Sequence, residues 1–179
     1  MASTGLPSIS TLHSLQSPQL AAVLDLLFEP CVPLHTLSVN LLHEQTFSSY
    51  DDLITSIGVQ LTDLAESSST SDTRWLESIL GAHPRLGEKK IDSTQSKEEQ
   101  AQLASGHHAG EDKLSEMNTL YEQTFPGLRY VAFVNGRDRP AILDDMQGRI
   151  DRKDISLERA EAIKAMCQIA ADRARKLQQ

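Results

Sequence analysis

Apolar side chains recur every three or four residues in one segment after another, and this periodicity constrains the fold more than any other feature of the sequence. The first segment begins at Ser17-Pro18, a pair typical of a helix start because serine caps a helix and proline suits its first turn. Its stripe is formed by Leu20, Val23, Leu24, Leu27 and Phe28. Helical patterns follow over about residues 34–43, 49–64 and 73–82, from 96 to 125 with an interruption near 106–110, from 139, and over 156–177.

Composition favours helix packing as the way this chain forms its core. Aromatic residues make up only 4% of the chain, so leucine, isoleucine, valine and alanine must fill the interior. The large apolar residues at helical spacing, among them Trp75 and Leu120, are predicted to face inward. The sequence therefore predicts an all-α fold: a single-domain bundle of about seven or eight helices with short connections.

Residues 1–16 are rich in serine and threonine and are predicted to form a flexible N-terminal arm, which leaves residues 17–179 as one domain. The polar run 66–72 is too short to separate two domains. Tyr130–Val134 is the one segment with strand composition, and no convincing partner strand accompanies it. Since an unpaired strand leaves its backbone groups unsatisfied, we expect a buried extended connection there.

The charge and the cysteine content exclude several classes of protein. A formal net charge of −8 argues against nucleic acid as a partner, since phosphate binding needs a basic face. No apolar run is long enough to span a membrane, and the N-terminus lacks the regions of a secretory signal. Cys31 and Cys167 have no C-x-x-C spacing and are expected to be reduced thiols inside a cell. We expect a cytoplasmic protein, with the peroxisome as the alternative, although the chain does not end in S-K-L.

His83 is the first candidate for chemistry. It follows the helical pattern and precedes Pro84, which holds His83 away from the α-helical region. One interpretation is structural: an imidazole at a helix end donates to the last carbonyls and, when charged, interacts favourably with the macrodipole. The other is general acid/base catalysis, since imidazole titrates near neutrality, and this role requires a neighbour that orients the ring. From this motif alone the structural interpretation is favoured.

Ser96-x-x-Glu99-Gln100 also has two interpretations. Ser-x-x-Glu is a capping box, in which the two side chains satisfy each other's backbone donors at a helix start. Alternatively, Ser96, Glu99 and Gln100 surround a helix N-terminus that faces an anionic ligand. Both interpretations hold if Glu99 points away from the cap.

Polar groups also concentrate in a turn and in a loop. The turn runs from Asn135-Gly136 through Arg137 to Arg139, and an arginine fork suits a carboxylate, although surface arginines are common. The loop contains His107-His108, and adjacent histidines do not match a zinc template. We therefore favour a solvated loop there and predict no metal site.

Four stretches, taken together, match a known family in their order and separations. They are His83-Pro84-x-Leu86-Gly87, Ser96-x-x-Glu99-Gln100, Leu120-Tyr121-Glu122-x-x-Phe125 and Val131-Ala132-Phe133-Val134-Asn135-Gly136-Arg137. In these residues the chain resembles the OHCU decarboxylases of urate degradation, where OHCU is 2-oxo-4-hydroxy-4-carboxy-5-ureidoimidazoline. The resemblance spans roughly residues 20–177, and its middle third is the most specific part.

The resemblance implies a lyase that acts on a small ureidoimidazoline. Such enzymes have an all-α fold, are usually homodimers, need no metal or organic cofactor, and convert OHCU to (S)-allantoin and CO2. The matching residues divide into a catalytic pair and a substrate-binding set. The pair is His83, as general acid/base, and Glu99, as its partner. The substrate-binding set is Pro84, Ser96, Gln100, Val134, Asn135, Gly136 and Arg137.

The chain departs from the family at Asn135, where members often have an arginine. The resemblance therefore implies that Arg137 or the backbone donors of residues 134–136 bind the substrate carboxylate in place of that arginine. The same departure supports an alternative of another class, a helical interaction module that has kept the fold and lost the activity. A metal-dependent hydrolase using His107 and His108 is a more distant alternative.

Overall fold

Eight α-helices and one short 3-10 helix form the regular structure of the computed structural model, which describes residues 5–88, 93–101 and 111–178. No strand occurs within these ranges. The 3-10 helix is Ile9–Ser14, and the α-helices are α1 Ser17–Leu27, α2 Val32–Glu44, α3 Tyr50–Glu66, α4 Thr70–Leu80, α5 Thr94–Ala101, α6 Glu111–Thr124, α7 Arg139–Arg152 and α8 Ile155–Leu177. The predicted all-α, single-domain bundle of about seven or eight helices is confirmed.

The longest helix, α8, organises the bundle. It packs most extensively against α3 and also contacts α1 and α4. Gly58 allows α3 to come close to α8, because a Cβ at Gly58 would lie 3.1 Å from Sγ of Cys167. Although glycine weakens an isolated helix, α3 continues through this position. Packing against α8 therefore outweighs the low helix propensity of Gly58.

The starts of α1 and α3 are set by side-chain caps. Ser49, where the predicted helical pattern 49–64 begins, caps α3, and its hydroxyl accepts from the backbone N–H of Asp52. The start of α1 differs from the prediction, since Gln16 and not Ser17 is the N-cap. The side chains of Gln16 and Gln19 satisfy each other's backbone N–H groups, so Ser17 is already the first helical residue.

The N-terminal segment is more ordered than a flexible arm. It contains the 3-10 helix Ile9–Ser14, whose Leu12 is buried in the core. The hydroxyl of Tyr50 donates to the carbonyl of Pro7 at 2.8 Å. Apolar residues spaced by three match the three residues per turn of a 3-10 helix and explain this packing. They are Leu6, Ile9, Leu12 and Leu15.

Trp75 and Leu120 are exceptions to the predicted inward faces. Their exposed fractions are 39% for Trp75 and 41% for Leu120. Each precedes a fully buried residue, Leu76 or Tyr121, and one residue corresponds to about 100° of rotation around a helix. Both side chains therefore lie at the edge of the buried stripe.

Tyr130–Val134 has no regular secondary structure and is a connection, as its sequence predicts. Tyr130, Val131 and Ala132 are buried, and the last two residues are half-buried. Arg149 of α7 donates to a backbone carbonyl of this segment, as a partner strand would. Arg149 donates from Nη1 to the carbonyl of Val131 at 3.3 Å and lies 4.9 Å from the centre of the Tyr130 ring. The Tyr130 hydroxyl donates to Asp145. The chain then turns at Asn135 and Gly136, which have φ of 42° and 76°.

Helices α1 and α2 meet at an angle of 116° at the Pro30–Pro33 junction. No single helix in the described residues is long and apolar enough to cross a membrane, and this bent pair reaches the necessary length and hydropathy only when its two helices are joined. Both helices contribute side chains to the core, among them Leu20, Leu24, Leu27, Leu34 and Leu42.

Candidate functional site

A cavity of about 280 Å³ lies where the loop after α4, the helix α5, the extended segment before α7 and the last turns of α8 meet. Its walls combine apolar side chains with a few polar ones. The lining residues are His83, Pro84, Leu86, Ser96, Glu99, Gln100, Tyr130, Val131, Ala132, Phe133, Val134, Asn135, Gly136, Ile169, Asp172 and Lys176.

All the sequence-predicted site residues except Arg137 line this cavity. They come from three separate parts of the chain: His83 and Pro84, then Ser96, Glu99 and Gln100, then Val134, Asn135 and Gly136. The fold therefore brings the predicted residues together, and their catalytic and binding roles stay predictions.

Arg137 is placed differently. Its guanidinium donates from Nη2 to the carbonyl of Phe133 at 2.7 Å and from Nε to that of Val134 at 3.4 Å. The backbone N–H of Arg137 also donates to Val134, at 2.9 Å. These bonds fold the side chain back onto its own turn, so the expected replacement for an arginine at position 135 does not reach the cavity.

His83 is a buried, uncharged histidine with a free ring nitrogen. The residue is only 5% exposed, and Nε2 has no hydrogen-bond partner among the described residues. Burial, aided by the positive charge of Arg173, lowers the pKa of His83 to about 3. Because the ring is neutral, it carries no charge to interact with the dipole of α4. The interpretation of His83 as a charged imidazole that stabilises the helix end therefore does not apply. A buried nitrogen without a partner is costly unless a ligand or water satisfies it.

The loop that holds His83 is fixed by amide side chains from α5 and α6. Gln100 accepts from the N–H of Gly87 at 2.9 Å and donates to the carbonyl of Arg85 at 3.0 Å. Asn118 donates to the carbonyl of Leu86 at 3.0 Å. Gly87 has φ of 80°, and a Cβ there would lie 2.9 Å from Leu114, so this turn requires glycine. The Gln100 amide thus positions the loop besides lining the cavity.

The motif Leu120-Tyr121-Glu122-x-x-Phe125 supports the site from behind. Glu122 accepts from Nε of Arg85 at 2.6 Å and fixes the same loop. Tyr121 donates to the buried carboxylate of Glu158 at 2.7 Å and packs edge-on against Tyr130. Neither side chain lines the cavity, so this motif orients the walls rather than contacting a ligand.

Ser93, not Ser96, caps α5, which corrects the predicted capping box. The Ser93 hydroxyl accepts from the N–H of Ser96 at 3.2 Å, and the helix starts at Thr94. Ser96 is therefore inside the helix and donates to Glu29 at 2.5 Å. Glu99 is likewise not part of the cap. The side chains of Ser96 and Glu99 line the cavity instead.

Arg173 is the residue of the site that sequence reasoning missed. It lies on α8, is 2% exposed, and holds both oxygens of Glu99, at 2.7 Å from Nε and 2.9 Å from Nη2. It also donates to Glu29 at 2.8 Å and to the carbonyl of Phe28 at 3.0 Å. The charged run around it is typical of an exposed helix end. The available signal was its place on the apolar stripe, three residues after Ala170 and four before Leu177.

The Glu29–Arg173–Glu99 cluster sets the electrostatics behind the cavity. Two carboxylates share one guanidinium, so the cluster has a formal charge of −1. Bidentate pairing fixes the plane of the Glu99 carboxylate, which lines the cavity. Arg173 thus orients Glu99, and its positive charge adds to burial, the larger cause, in lowering the pKa of His83. Arg173 therefore affects both groups: it binds the Glu99 carboxylate directly and acts on His83 through its charge.

No group of three or more metal-ligating side chains occurs in the part of the chain that the structure describes. His107 and His108, the residues of the distant metal alternative, lie outside that part.

Comparison with known proteins identifies the family to which these residues correspond. The model of the OHCU decarboxylase family matches residues 13–175. The match includes every cavity residue except Lys176. No curated protein matches the chain.

Proposed function

The chain belongs to the OHCU decarboxylase family, which takes part in urate degradation, and on this basis we propose that it converts OHCU to (S)-allantoin and CO2 without a cofactor. The observation that carries the proposal is the buried, unpartnered Nε2 of His83 in the same cavity as the Glu99 carboxylate. A cavity of about 280 Å³ suits a small ureidoimidazoline. A homodimer is proposed from family membership alone.

The chemistry requires little from the protein because the substrate contains its own electron sink. As the bond between C4 and the carboxylate breaks, its electron pair moves into the adjacent conjugated imine and CO2 leaves. The nitrogen that receives the electrons takes up a proton, which leaves an enol across C4 and C5. As the C4 hydroxyl loses its proton and becomes the carbonyl, C5 takes up a proton, and its delivery to one face of C5 gives the (S) product. The protein must hold the carboxylate, stabilise the developing charge and supply that proton.

His83 is the proposed proton donor. Its pKa of about 3 in the empty cavity leaves the ring neutral at physiological pH. An anionic substrate next to the ring favours the charged form, so binding raises the pKa of His83 and the ring takes up a proton. The protonated ring then delivers this proton to C5, the former imine carbon next to the carbon that has lost CO2. Substrate binding thus charges the acid that completes the reaction.

Glu99 is the proposed partner of His83. Because Arg173 holds both its oxygens, the carboxylate presents fixed lone pairs to the hydroxyl or the ureido N–H groups of the substrate. Ser96, Gln100 and the backbone of residues 134–136 complete the set of polar groups around the ligand. This arrangement orients the ring of the substrate relative to His83.

A coupled assay tests the proposal. Urate oxidase and hydroxyisourate hydrolase generate OHCU in the cuvette, and circular dichroism follows the appearance of chiral allantoin. We expect the protein to accelerate this signal well beyond the spontaneous rate. A rate equal to the spontaneous one refutes the proposal and favours the inactive interaction module that Asn135 supports.

A further inference from the structure

Lys176 is the one lysine or arginine among the described residues that line the cavity. The other charged lining side chains are Glu99 and Asp172, since His83 is neutral. Two carboxylates and one ammonium give the lining a formal charge of 1 − 2 = −1. An anionic substrate is therefore repelled unless this lysine turns toward it.

The arginines close to the cavity are already bonded. Arg173 donates from Nε to Glu99, from Nη1 to the carbonyl of Phe28 and from Nη2 to Glu29. Arg137 donates to the carbonyls of its own turn. Arg129 donates from Nη1 to the carbonyl of His83 at 3.2 Å and does not line the cavity. Among the described residues that line the cavity, Lys176 is thus the cation that can serve a substrate carboxylate.

Lys176 is held in a way that allows its release. Its Nζ lies 2.7 Å from Oδ2 of Asp172, one helical turn earlier on α8. Nη2 of Arg175 lies 3.4 Å from the other oxygen of Asp172, so this carboxylate keeps a cationic neighbour when Lys176 moves. The Lys176 side chain is 53% exposed, and an exposed ion pair of this spacing is weak. The flexible stem of lysine lets the ammonium pivot between two acceptors.

We propose that Lys176 binds the carboxylate of the substrate and that Asp172 holds the ammonium at the rim of the empty cavity. This inference rests on the proposed function, because it identifies the group that binds the carboxylate lost in the reaction. Arg137 and Asn135 then have no part in binding this carboxylate.

The test uses two stable ureido compounds that differ in charge, allantoate with a carboxylate and allantoin without one. Calorimetry measures their binding to the wild type, Lys176→Met, Lys176→Arg and Arg175→Met. Loss of one charge-assisted contact predicts that Lys176→Met binds allantoate about tenfold more weakly, while allantoin binding changes less than about twofold. Lys176→Arg restores most of the affinity for allantoate. Arg175→Met is the matched control, because Arg175 also contacts Asp172 but does not line the cavity.

The same variants are compared in the OHCU assay, where Lys176→Met should raise KM about tenfold with kcat changed much less. An unchanged KM together with wild-type affinity for allantoate overturns the inference and leaves the proposed decarboxylase standing. An equal loss in Arg175→Met, or no binding of allantoate by the wild type, also counts against it. Conversely, a wild type that does not turn over OHCU but binds allantoate through Lys176 refutes the proposed function and retains the anion site.

Discussion

Replacing Arg173 by methionine should strongly destabilise the protein, because this one guanidinium compensates two carboxylates. Glu29 has a side chain only 6% exposed, whereas that of Glu99 is 25% exposed and can gain water. Breaking a buried ion pair on one side costs about 3–5 kcal/mol, and we assign most of this loss to Glu29. Domains of this kind have a total stability of about 5–15 kcal/mol, so the loss is a large fraction of it.

Urea unfolding followed by circular dichroism measures this free energy. Arg175→Met is the control on the same helix, since the Arg175 side chain is 59% exposed, pairs with Asp172 at 3.4 Å and should cost about 1 kcal/mol or less. Adding Glu29→Gln to Arg173→Met should recover part of the loss, because the uncompensated charge is removed. A loss below about 1 kcal/mol in Arg173→Met, or no recovery in the double variant, would refute the electrostatic reasoning.

Further predictions concern proton uptake and the His83 loop. Allantoate binding should raise the pKa of His83 from about 3, so the ring should take up a proton on binding. Calorimetry in buffers of different ionisation enthalpy should detect this uptake, which should increase as the pH falls from about 8 to about 6. Proton uptake that persists in His83→Asn would show that another group takes up the proton. Gly87→Ala should cost about 1–3 kcal/mol in urea unfolding, because φ is 80° and the new Cβ lies 2.9 Å from Leu114. Gly148→Ala is the control, because a Cβ at this position inside α7 meets nothing within 4 Å, and it should be neutral or stabilising by up to about 1 kcal/mol. Similar losses of stability in Gly87→Ala and Gly148→Ala would contradict the requirement for glycine at position 87.

The helices were predictable because burial on one face imposes a period that the sequence records. In α8, the buried residues Ile163, Met166, Ala170 and Ala174 recur at helical spacing within the predicted range 156–177. The predicted pattern 49–64 likewise begins at Ser49, the N-cap of α3. Errors occur at stripe edges such as Trp75, where neighbouring positions differ by a partial rotation. The N-terminal segment was missed because its apolar residues repeat every three, which is a 3-10 and not an α period.

The cavity was predictable as a set of residues, while its charge pairing was not. Ser93 and Ser96 are both reasonable caps in sequence, and the choice between them depends on Glu29, which lies far away along the chain. Arg173 has the same local sequence as an exposed helix end, and only tertiary packing buries it. Likewise, the direction of Arg137 depends on which carbonyls its own turn leaves open. Long-range partners decide the first two cases, and the backbone geometry of the turn decides the third.

The measurement that tests the account most directly is the rate of (S)-allantoin formation from freshly generated OHCU by the wild type, His83→Ala and His13→Ala. His13 is an exposed histidine that does not line the cavity, and its replacement controls for the loss of an imidazole. We predict that His83→Ala loses about 10²–10⁴-fold in kcat, as expected for a general acid, with unchanged helical content, while His13→Ala keeps wild-type activity. Full activity in His83→Ala would contradict the central claim that this buried imidazole supplies the proton.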